Sequence, residues 1–86
     1  MRLTYDDEAD AVYVYIREKT VVASSEKLDE GRVADLDDQG ELVGVEILDA
    51  SSRGVLLTDL AERFDLGDLL PHLRNLEARF RPVERT

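Results

Sequence analysis

The chain has 86 residues, no cysteine, and 20 Asp and Glu against 11 Lys and Arg, a formal net charge of −9. A chain of that length makes one small domain that buries only about 60–65% of the surface its unfolded form exposes, and without thiols it has no disulfide framework or thiolate zinc site to compensate. The acid excludes an electrostatic attraction to nucleic acid or anionic membrane and favours a basic partner.

The charge is unevenly placed: residues 1–52 hold 14 acidic and 5 basic side chains, while residues 53–86 hold 6 of each. The N-terminal stretch from Met1 to Asp10 has no apolar core, and no run approaches the roughly 18 consecutive apolar residues of a membrane span. The expectation is a soluble, cytoplasmic protein.

In chain order, the first half reads as short runs rich in Val, Ile, Tyr and Leu between clusters of Asp, Glu, Ser and Gly, the pattern of strands and turns. The runs are Arg2–Tyr5, Ala11–Arg17, Val21–Leu28, Arg32–Asp37 and Glu41–Leu48. Their short connections predict an antiparallel meander, because parallel neighbours need crossovers of about a dozen residues. Between the first two runs, Asp6, Asp7, Glu8 and Asp10 crowd into a connection in which Asp6 is expected to make an Asx-turn. The second run is apolar on both sides: Val12, Val14 and Ile16 point one way, Ala11, Tyr13 and Tyr15 the other.

Between the fourth and fifth runs, Asp35, Asp37, Gly40, Glu41 and Glu46 fall at positions 1, 3, 6, 7 and 12 of an EF-hand count. The flanks are strands rather than helices, and Gln39 occupies the fifth position, so the calcium reading fails for want of its structural context. The segment reads as a hairpin in which Gly40 supplies a left-handed residue and Asp37 and Asp38 bond nearby backbone N–H groups.

After Ser52 the period changes to helical. Leu66, Leu69, Leu70, Leu73, Leu76 and Phe80 share one helix face, with Arg74, Asn75 and Arg79 pointing away. Asp68 is the expected N-cap, with Pro71 in the first turn, and a shorter preceding helix is expected with Asp59 as cap and Glu62 as its capping-box partner. Leu60, Ala61 and Leu66 resemble the opening of a helix-turn-helix. The would-be recognition residues Gly67, Asp68, Leu69 and Pro71 suit a core helix better than base edges. His72 has no set of fellow ligands, and Ser24, Ser25, Ser51 and Ser52 lack an elbow or oxyanion signature. Neither catalytic residues, a metal nor a cofactor is expected.

Two motifs carry a family resemblance. Tyr5, Asp6, Glu8, Ala9, Asp10, Ala11 and Tyr13, followed by Asp35, Asp37, Gly40, Gly44, Glu46, Ile47 and Leu48, resemble the pattern of the small prokaryotic family catalogued as domain of unknown function 2283. The resemblance covers residues 1 to about 51. It implies a small β-rich domain and supplies no catalytic residues; some members resemble the antitoxin half of two-gene toxin modules.

The reading that results is a single α+β domain spanning 1–86, with a β-rich core at 1–51 and a helical extension at 52–86. An antiparallel sheet of four to five strands packs one face on C-terminal helices. The expected role is a non-enzymatic interaction module that self-associates as a dimer, with Tyr13 and Tyr15 as candidate interface, and that partners a basic protein in antitoxin-like fashion. The alternatives are metal binding or metal-dependent catalysis by the acidic turns, and DNA binding through the C-terminal helices.

Overall fold

The computed structural model describes residues 1–80. Five strands, β1 (Arg2–Asp6), β2 (Ala11–Tyr15), β3 (Ser24–Asp29), β4 (Arg32–Leu36) and β5 (Leu42–Leu48), precede three helices, α1 (Ala50–Arg53), α2 (Asp59–Arg63) and α3 (Leu70–Arg79), the last entered through a 3-10 turn at Gly67–Leu69. The protein is an α+β fold with a five-stranded antiparallel sheet, as the hydrophobic periods predict. The strand order is β1-β2-β5-β4-β3. Three of the four pairings join consecutive strands. The expected meander holds only within those pairs: the segment between β2 and β3 carries the chain to the far edge, so that β5 returns beside β2 in a Greek-key order.

Hydrophobicity explains that order. β2 and β5 carry the most apolar side chains and occupy neighbouring interior positions, while the largely exposed β1 and β3 form the edges. Edge strands of polar and charged residues also discourage unwanted pairing. On the inner face Val12, Val14, Ala34, Val45 and Ile47 are buried against Leu57, Leu60, Ala61, Leu73 and Leu76. The leucine stripe of α3 is therefore directed inward, while Arg74, Asn75 and Arg79 are exposed.

The helix starts differ from the sequence expectation. α2 begins after Thr58, without a side-chain cap, and Asp59 lies inside its first turn. Glu77 of α3 serves that end instead: its Oε2 accepts the Leu57 and Thr58 backbone N–H groups at 2.8 and 3.1 Å. Asp59 is recruited by the sheet, accepting two hydrogen bonds from Arg32 at 2.8 and 2.9 Å. Asp68 sits within the 3-10 turn, and Pro71 falls in the first turn of α3, where its missing N–H costs nothing. A charged partner outcompeted the local cap because Arg32 is nearly buried and needs its charge answered.

Arg32 also bonds Asp29 and the Leu56 carbonyl, tying the start of β4 to the segment that enters α2. Pairing with Asp59, and then with Asp29, holds its guanidinium further above its ordinary pKa despite the opposing effect of burial. Among the described residues no helix is long and apolar enough to cross a membrane.

Candidate functional site

All three helices follow β5, and the side chains that join the core come from the inner face of the sheet. The opposite face is built from alternate residues of every strand. Its register gives two adjacent rows: Arg2, Tyr15, Gly44, Asp35 and Ser25, then Thr4, Tyr13, Glu46, Val33 and Lys27. A bulge makes this arrangement fit. Asp35 faces Gly44 and Leu36 faces Leu42, leaving Val43 as an extra residue, so Leu42 joins the core while Gly44 turns to the open face.

Gly44 is needed for its lack of a side chain. The Tyr13 ring lies over it, and an added Cβ would come within 2.7 Å of the ring carbons. Leaning across β5, Tyr13 donates its hydroxyl to Asp35 Oδ2 on β4 at 2.6 Å, and Ser25 on β3 donates to Oδ1 at 2.6 Å. Burial, then the bond to Asp35, pushes the Tyr13 phenol well above its ordinary pKa. In the other direction Tyr13 meets Tyr15 with centroids 4.6 Å apart. Arg2 places its guanidinium carbon 4.2 Å above the Tyr15 ring and donates Nε to Glu18 at 2.7 Å. A chain of contacts from Arg2 through Tyr15, Tyr13 and Asp35 to Ser25 thus crosses the sheet from edge to edge.

The candidate interface residues Tyr13 and Tyr15 accordingly belong to a self-supported belt. Tyr13 and Tyr15 are half-buried without a second protein layer, because glycine lets one ring lie flat and arginine covers the other. Glu46, in the middle of this face, is exposed, and its side chain makes no hydrogen bond or ion pair among the described residues.

The remaining motif residues organise the two ends of the sheet. At the β4–β5 turn, Asp37 Oδ1 accepts the backbone N–H groups of Gln39 and Glu41, each at 2.9 Å, and Oδ2 accepts Arg17 at 2.8 Å. Gly40 has φ of 79°. This is the hairpin read from the sequence. Arg17, then the backbone N–H of Glu41, holds the Asp37 carboxyl below its usual range. At the other end Asp6 accepts the N–H groups of Glu8 and Ala9, the expected Asx-turn. Asp10, at φ 50°, accepts the Tyr5 hydroxyl at 2.9 Å, the Ser51 N–H at 3.0 Å and the Ser51 hydroxyl at 2.6 Å. It thereby fastens the first hairpin to α1, while the Tyr5 ring packs 5.3 Å from Phe80.

The two acidic turns do not converge. Ala11 pairs with Leu48 and Leu36 with Leu42, so they lie beyond opposite ends of β5, roughly 20 Å apart at about 3.4 Å per residue. Among the described residues no three His, Asp or Glu side chains meet in a group able to hold a metal ion.

Sequence reasoning singled out Tyr13, Asp35 and Gly44 separately and missed what joins them. The isolated glycine in an otherwise apolar strand was a signal of close approach. Arg2, Arg17 and Ser25 carried no local signal, since their partners lie 16, 20 and 10 residues away.

Compared with known proteins, residues 2–51 match a family described as protein of unknown function (DUF2283). No curated protein and no solved structure matches the chain.

Proposed function

The chain belongs to the DUF2283 family, and from that premise we propose that it is a small non-enzymatic interaction module that docks through the helix-free face of its sheet. The observation that carries the reading is the division of labour between the faces. Among the described residues every helix packs on one side, while the other presents a belt from Arg2 to Ser25 fixed by 2.6 Å hydrogen bonds and a cation–π contact. A face held rigid before binding spends little entropy on binding. Tyrosine and arginine are also the residue types enriched in protein interfaces.

The test is photo-crosslinking from chosen positions. A photoreactive residue at Val33 or Leu48 on the open face should give protein adducts in cells, while one at Arg74 or Asn75 on the exposed side of α3 should give few. Adducts from α3 alone, or from neither face, would overturn the reading.

A second reading, a twofold dimer about Tyr13 and Tyr15, is supported by the partial exposure of both rings and of Leu48 beside them. Light scattering over a range of concentrations tests it. A dimer strengthened by added salt is expected, because screening relieves repulsion between two acidic chains; a monomer at every salt concentration would rule it out.

A further inference from the structure

We infer that the occupant of the open face is an arginine-bearing segment of a basic protein, seated over Tyr13 and paired with Glu46. The inference rests on the docking reading above and names the partner's chemistry.

The chain already contains a worked example of such a seat. Arg2 lies 4.2 Å above the Tyr15 ring and donates to Glu18 at 2.7 Å, so one tyrosine of the belt carries an arginine and a glutamate neutralises it. The next tyrosine, Tyr13, has a glutamate at hand but carries no arginine among the described residues. Tyr13 is paired directly with Glu46 across β2 and β5, which puts their Cβ atoms about 5 Å apart. Its ring is half-exposed, and the Glu46 carboxylate makes no hydrogen bond or ion pair among the described residues. A guanidinium laid on Tyr13 would find that carboxylate beside it and Asp35 one row away. Among the described residues Asp35 accepts the neutral hydroxyls of Tyr13 and Ser25 and meets no cation.

Charge favours a basic segment over a second copy seated on β4 or β5. Stacking a second copy centred on β5 would bring Glu46 against Glu46, and centring it on β4 would bring Asp35 against Asp35. Like charges placed together away from water are costly. A basic segment meets the same two carboxylates with the opposite sign. Arginine suits the site better than lysine, because its planar guanidinium stacks on a ring and bonds a carboxylate at once.

The experiment is a nuclear magnetic resonance titration of the full chain with an arginine-rich nonapeptide, and in parallel with an oligolysine of equal charge. Saturable shifts should centre on Tyr13, Val33 and Glu46, with the arginine peptide binding several-fold more tightly. Glu46→Gln, a change at an exposed side chain, should weaken binding about two- to fivefold, the effect of one exposed ion pair. Lys27→Gln, in the same row, should leave it unchanged or tighter.

Shifts confined to the turn from Asp6 to Asp10, or affinity indifferent to Glu46→Gln, would overturn the inference as mere attraction to acid. If instead the same resonances move on dilution of the chain alone, the occupant is a second copy. In that case this inference fails while the docking reading stands.

Discussion

On the covered face, Val12, Val14, Val45 and Ile47 are almost wholly removed from water against Leu57, Leu60 and Leu73. Their immediate sequence neighbours on the open face, Tyr13, Gly44 and Glu46, keep partial or full contact with solvent except for the glycine, which a ring covers. Each fully buried aliphatic side chain contributes about 1.5–3 kcal/mol by leaving water, and that contribution depends little on orientation. The belt works differently, through a few short directional bonds, each worth about 0.5–1.5 kcal/mol net. One face therefore supplies most of the stability, and the other supplies a fixed geometry. A small domain that used both faces for stability would have none left to present.

The strongest way to break this contrast is Leu73→Ala. Leu73 is fully buried, so the change should cost about 2–5 kcal/mol in urea denaturation, a large share of a small domain's stability. A cost below that of any open-face substitution would invert the assignment of the faces.

Removing a charged strut of the covered side should cost less. Asp59→Ala takes the bidentate partner from Arg32 but leaves it Asp29 and the Leu56 carbonyl, so about 1.5–3 kcal/mol is expected from thermal or chemical unfolding.

On the open face, Gly44→Ala should cost about 1–3 kcal/mol by overpacking, since the new methyl meets the Tyr13 ring. The sharper measurement is a double-mutant cycle. In a Tyr13→Ala background the glycine substitution should become nearly neutral, and a cost that persists there would place the strain elsewhere.

The polar struts also differ in the pH at which they give way. Asp37 and Asp29 have pKa values lowered by Arg17 and Arg32 respectively. The stability they contribute is present above the ordinary aspartate pKa and is lost as pH falls through their lowered values. Tyr13 is the opposite case: its raised pKa gives stability below the ordinary phenol value, which is lost progressively as pH rises above it. Alkaline titration followed by amide chemical shifts should therefore disturb Gly44 and Asp35 only well above the ordinary phenol range. Tyr13→Phe should abolish that late change, and Arg17→Ala should move the Asp37 titration up toward 3.8.

The smallest effect is expected at Arg74→Ala. The side chain is exposed, one position from Leu73, and its removal should change stability by no more than about 0.5 kcal/mol.

Much of this was legible in the residues. The five apolar runs became five strands, with the third beginning at Ser24 rather than Val21. Gly40 and Asp37 made the expected hairpin, and the leucine stripe of α3 faced the core. What misled was local grammar at charged positions: Asp59 has the look of an N-cap, yet its partner is Arg32, 27 residues earlier. Caps are judged within one turn, whereas a nearly buried guanidinium is satisfied by whatever carboxylate the fold delivers.

The sequence by itself determined the elements, because period, turn chemistry and glycine placement act over a few residues. It also determined which sides of β2 were apolar, since alternation along a strand is fixed by the pleat. The tertiary structure alone decided that β5 lies between β2 and β4, that a bulge turns Gly44 outward, and that Tyr13 can therefore reach Asp35 across an intervening strand. The β2–β5 pairing and the Tyr13–Asp35 bond join residues more than 20 apart, and the bulge arises between the neighbouring strands β4 and β5; all are set by the joint burial of apolar strands and not by any residue's own preference.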